Sequence, residues 1–164
     1  MKEVCSLIAV LPALLLGGCG SDEEAKDMQK PVIEMNGGGY FPQNCTTLKR
    51  GDRFMLKAKF SDNVELGNYN IEIHNNFDHH SHSTGGEECE TDEKKTPVNA
   101  WVFNRDYSIP AGLKEFEAGN EITVPVDVDT GDYHFMVRLT DKAGWQQLMA
   151  VSVKIGEQEQ IKIE

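Results

Sequence analysis

A chain of 164 residues with 39% hydrophobic content fits one globular domain rather than two. Acidic residues outnumber basic ones 27 to 16, giving a formal charge of −11 with no Lys/Arg patch. That argues against a nucleic-acid partner, because phosphates are held by such patches. Aromatic content of 8% and 15 glycines exclude a collagen-like or wholly disordered chain.

The chain opens on an apolar run over residues 4–18, with CSLIAVLPALLLGG as its main part. About 20 apolar residues are needed to span a bilayer, so the run is too short and reads as the hydrophobic region of a secretory signal. Its charged start is weak, since Lys2 is offset by Glu3. Leu16-Gly17-Gly18-Cys19 resembles a bacterial lipobox, which implies cleavage of residues 1–18 and lipidation of Cys19. The expected localisation is therefore the cell envelope, with a lipid anchor in the outer membrane. Residues 19–30 follow as a tether. The stretch Gly20-Ser21-Asp22-Glu23-Glu24-Ala25-Lys26-Asp27 cannot bury enough apolar area to fold. An acidic run in this place resembles the surface-export signal of Bacteroidetes lipoproteins; the alternative is a linker facing the periplasm.

From residue 31 to 156 short alternating runs recur between turn signals, with no sustained 3.6-residue period. This predicts an all-β, antiparallel, Greek-key sandwich of about seven strands. Strands are expected at 31–35, 53–60, 68–75, within 98–108, and at 121–127, 133–140 and 147–155. The segment 36–51 is expected to be a loop, as is the polar stretch 76–97. Residues 157–164 form a tail. In the second strand Phe54, Leu56, Ala58 and Phe60 share a face; in the third, Tyr69, Ile71 and Ile73 oppose Asn70, Glu72 and His74. Ile122, Val124 and Val126 are expected to share a face, with Pro125 marking an edge or an irregularity.

Asp129-Thr130-Gly131-Asp132-Tyr133 places a tyrosine just after a turn, as in the tyrosine corner of immunoglobulin-like sandwiches. Thr140-Asp141-Lys142-Ala143-Gly144-Trp145 resembles the turn between the last two strands of bacterial Ig-like domains, with Trp145 in the usual place of Asn. Gly51-Asp52 and Ser61-Asp62-Asn63 flank the second strand in the same style. Together with Phe77-Asp78-His79-His80-Ser81-His82-Ser83, these segments are similar to a family of Bacteroidetes Ig-like lipoproteins, the domain of unknown function 4625. That resemblance implies an Ig-like fold and brings no established activity with it, so the chemistry rests on the residues.

Cys5 falls in the discarded leader, which leaves Cys45 and Cys89 in the domain. An oxidising compartment and loops at a shared end of the sandwich predict a disulfide between them. Two free thiols or two metal ligands are the alternatives.

Five histidines carry the functional expectation: His74, His79, His80, His82 and His134, four of them within nine residues. His74 ends one strand and His134 begins its expected antiparallel neighbour. Strand parity turns both away from the core, and directly opposed residues bring their Cβ atoms about 5 Å apart. Two imidazoles at that spacing, joined by one or two of His79, His80 and His82, would suit zinc or copper. If the loop is extended, His80 and His82 share a side and His79 faces away. Glu72 and Asp78 are available as ligands or as partners that fix a tautomer. Met136, two residues from His134, would favour copper. A solvated loop and a cluster titrating near pH 6 are the other readings.

Glu87, Glu88, Glu90, Asp92 and Glu93 read as a solvated acidic loop. Asp62, Asn63 and Asp141 fall in turns at the opposite end and read as turn caps, with a calcium site as the alternative. Trp101 and Trp145 read as core or turn packing, with glycan stacking as the alternative. Asn44-Cys45-Thr46 matches a glycosylation sequon, which the lipobox discounts. No G-x-S-x-G, free-Cys/His pair or paired carboxylates suggest an enzyme. Two functions stay open: a metal-binding accessory lipoprotein, and a metal-free adhesive or structural module that binds a glycan or an outer-membrane protein.

Overall fold

The computed structural model describes residues 26–82 and 89–158. The proposed leader, Cys19, Glu87, Glu88 and the end of the tail lie outside the described residues. Eight strands make up the described fold: β1 (Val32–Glu34), β2 (Thr46–Lys49), β3 (Arg53–Ser61), β4 (Leu66–Asn75), β5 (Phe103–Ser108), β6 (Glu115–Thr123), β7 (Gly131–Asp141) and β8 (Gln146–Gly156). They form two sheets, β1-β3-β6 and β2-β8-β7-β4-β5. No helix among the described residues is long and apolar enough to cross a membrane.

Alternation builds the core. Phe54, Leu56, Ala58 and Phe60 of β3 face Tyr69, Ile71 and Ile73 of β4 and Tyr133, Phe135, Val137 and Leu139 of β7, all buried. β3 and β4 alternate in this way, with every second side chain turned into the core and the others on an outer face. The expected tyrosine corner is present. Tyr133 donates its hydroxyl proton to the Asp129 carbonyl at 2.7 Å and accepts from the Trp101 backbone N–H at 3.2 Å. Trp101 is 5% exposed and belongs to the core.

Two expectations need correction. Residues 46–49, expected as loop, form β2, which pairs parallel with β8 in the register Thr46↔Val153 to Lys49↔Gly156. Only Leu48 of this strand is buried, so too little local alternation exists to reveal it. The strand expected at 121–127 instead spans Glu115–Thr123 and pairs along β3 from Ser61↔Glu115 to Arg53↔Thr123. Pro125 lacks the N–H a ladder needs, so the strand ends before it, and Val126 is 67% exposed instead of inward-facing. The strand expected within 98–108 is present as β5, in the later part of that range and beside β4.

β4 begins two residues earlier than expected, at an irregularity between Leu66 and Asn68. Here β4 approaches β7 closely. A Cβ on Gly67 would sit 2.9 Å from the carbonyl oxygens of Thr140 and Asp141. Both obstacles are backbone, so Gly67→Ala is expected to destabilise the fold by about 1–3 kcal/mol. Urea unfolding checks this; an unchanged midpoint would mean that the ladder yields at no cost.

Candidate metal centre

β4 and β7 are antiparallel neighbours, and His74 pairs directly with His134. Their core-facing neighbours Ile73, Tyr133 and Phe135 fix the parity, so both imidazoles project from the outer face. That face is normally wet. Here the chain leaving β4 folds back across it, and His134 is only 4% exposed.

The covering segment is fastened at many points. Asn76 donates its backbone N–H to the Asp132 carbonyl at 2.7 Å, and Lys95 donates to the Phe77 carbonyl at 3.1 Å. Asp92 donates its N–H to Asp132 Oδ2 at 2.7 Å and accepts a 2.7 Å ion pair from Lys154. The Cys45–Cys89 disulfide, with 5.4 Å between Cα atoms, ties the segment to the start of β2. Cys45 in turn donates its N–H to Ser152, which pairs with His134. Disulfide and histidines therefore share one level of the sheet.

Three imidazoles converge. His74 Nε2 lies 3.3 Å from His80 Nε2 and 3.0 Å from His82 Nε2. One nitrogen from each of the three falls within 4.8 Å of the others. Two nitrogens bound to a tetrahedral zinc at its ordinary bond length stand about 3.3 Å apart, so the spacing suits a shared ion. The distal ring nitrogens of His74 and His80 face carboxylates. His80 Nδ1 donates to Asp78 Oδ1 at 2.6 Å, which leaves Nε2 free to ligate. That hydrogen bond holds the Asp78 carboxyl below its ordinary pKa. Glu72 Oε1 is 3.1 Å from His74 Nδ1, off the hydrogen-bonding line. A hydrogen-bonded carboxylate such as Asp78 orients a ligating imidazole and raises its basicity.

The other two candidates stand outside this group. His79 adopts a left-handed backbone, φ 58°, which breaks the alternation of the loop. Its Nε2 is turned instead to the Asp92 carbonyl at 2.9 Å. His134 supports the site from beneath. Its Nε2–H donates to the His80 carbonyl at 3.2 Å, and its ring centroid lies 4.6 Å from that of His82. The carbonyl partner requires the proton on Nε2, so buried Nδ1 has no hydrogen-bond partner. Met136 is buried and pairs with Glu72 across the sheet.

Protonation is disfavoured at His82 and His134. Burial depresses the His82 pKa, and the His74 and His80 imidazoles add like-charge repulsion. Burial pushes His134 down to about 4; its bond to the His80 carbonyl opposes the shift, and the neighbouring imidazoles reinforce it. The unfolded chain takes up a proton near pH 6.5, whereas the folded protein does so only near 4. Stability is therefore full above about pH 6.5 and lost as pH falls toward 4, with about 2 kcal/mol gone by pH 5. Urea unfolding of metal-free protein at pH 7 and pH 5 measures this. His134→Gln should show a smaller difference between the two; an equal difference would remove the assignment.

A family model described as a domain of unknown function (DUF4625) matches residues 18–156. No curated protein sequence matches the chain.

Proposed function

We propose that this chain, which belongs to the DUF4625 family, binds a divalent transition metal, zinc or copper, through His74, His80 and His82. The observation that carries this reading is the convergence of three imidazole nitrogens on one point, two of them 3.0 and 3.3 Å from His74 Nε2. The distal nitrogens of His80 and His74 are directed toward Asp78 and Glu72, and the covering segment is fastened before any ion arrives. A preorganised loop loses less conformational entropy on binding.

Three protein nitrogens leave a tetrahedral ion one further position for water or an incoming ligand. The role is capture or an accessory function at the cell envelope, with a lipid anchor at Cys19 holding the domain at the outer membrane. The leader 1–18 and the residue pattern ending at Cys19 support that location. The proposed role is binding, not catalysis.

Calorimetric titration of metal-stripped protein with zinc and copper, checked by elemental analysis after dialysis, tests the reading. One ion per chain is expected. No binding up to millimolar metal would exclude it and return the domain to the adhesive alternative.

A further inference from the structure

A second cluster lies at the other end of the sandwich, built from entirely different chemistry. The turn from β3 to β4 carries Asp62, and β7 ends at Asp141. Asp27 comes from the segment leading into β1, part of the stretch that composition alone marks as a solvated tether. One carboxylate oxygen from each of the three falls within 4.8 Å of the others.

The turns fix the carboxylates and leave part of each without a partner. Asp62 Oδ1 accepts from the backbone N–H groups of Val64 and Glu65, both at 2.8 Å. Asp141 Oδ1 accepts from the Trp145 N–H at 2.8 Å. Asp27 Oδ1 accepts from the Gln29 N–H at 3.0 Å and from Asn63 Nδ2 at 3.1 Å. The second oxygens of Asp62 and Asp141 are buried and have no hydrogen-bond partner. Asp141 as a residue is only 3% exposed. Among the described residues no Lys, Arg or His forms an ion pair with any of the three.

Three like charges this close repel, and a buried carboxylate oxygen without a partner is costly. A cation placed among them removes both penalties. All the available donors are oxygens, the preference of hard ions, and none is nitrogen or sulfur. Carboxylates from three separate segments suit the loose six- to eightfold shell of calcium better than the strict octahedron of magnesium. We propose that Asp27, Asp62 and Asp141 form a calcium site that fastens the lead-in of β1 onto the end of the sandwich opposite the histidines. Trp145 completes the fastening, since its indole N–H donates to the Asp27 carbonyl at 3.0 Å. The site shares no residue with the histidine centre, so either can fail without the other.

Calcium titration of the metal-stripped chain tests the proposal, followed by calorimetry and by terbium luminescence excited through Trp145. Calcium is expected to bind with a Kd of about 10⁻³ M or tighter, the range of extracellular modules. At ten times that Kd the thermal midpoint should rise by about 3–6 °C. Asp27→Asn, remote from the core, and Asp141→Asn, which keeps an oxygen for the Trp145 N–H, should each weaken binding roughly tenfold or more. A His74→Ala, His82→Ala double variant should bind calcium like the parent. Absence of a heat, a midpoint shift and terbium luminescence at 10 mM ion would overturn the site, with the concentration set about tenfold above the weakest expected Kd. Undiminished binding by both Asp variants would overturn it equally.

Discussion

His74→Ala will lower zinc affinity on the order of a hundredfold or more, whereas His79→Ala will change it by less than about threefold. The contrast follows from geometry. His74 is the hub, with its Nε2 facing the nitrogens of both His80 and His82. Removing it leaves two ligands from a single loop and no ligand on a strand. His79 is spent on the Asp92 carbonyl and offers the ion nothing. His80→Ala and His82→Ala should fall between these limits, and Asp78→Asn should cost less than either because it acts through His80. Calorimetric titration at pH 7.5 reads the series. Equal affinities for the His74→Ala and His79→Ala proteins would refute the arrangement.

The second large effect concerns the disulfide. Its two cysteines are 44 positions apart. In the chain-entropy model a bridge of that span stabilises the fold by about 4 kcal/mol. The Cys45→Ala, Cys89→Ala double variant should therefore lose about that much in urea unfolding, and its thermal midpoint should drop by roughly 10–20 °C. Zinc affinity should fall too, by about tenfold, because the segment carrying His80 and His82 loses its covalent fastening and must be ordered by the ion. A loss under about 1 kcal/mol would show that the hydrogen bonds around Asp92 and Asp132 already hold the segment.

Much of this site could be read from the sequence because it rests on regular strands. Ile71 and Ile73 inward force His74 outward, and Tyr133 and Phe135 do the same for His134; the register then sets those two opposite each other. Spacing carried into the loop as well: His80 and His82, two positions apart, meet at His74, and His79 faces away from them. The left-handed backbone of His79 is a detail that the residue types do not announce. The expectation of His74 and His134 as the paired ligands met a feature with no such signal. A segment that covers β7 buries His134 and claims its Nε2 through a backbone carbonyl, a partner that carries no side-chain signature. β2 escaped notice because its pairing is with a strand about a hundred residues away. Asp27 did so because an acidic, apolar-poor stretch gives no hint of where it lands.

The parallel pairing of β2 with β8 has a mechanical consequence. The N-terminal side of the chain enters β2 at Thr46 and the C-terminal side leaves β8 at Gly156, with the two strands running the same way. Tension between the chain ends therefore drags the strands lengthwise past each other, and their hydrogen bonds share the load. A hairpin pulled from its open end peels apart one rung at a time. A four-residue strand that buries little more than Leu48 thus gives the domain resistance to pulling out of proportion to its weight in the folding equilibrium.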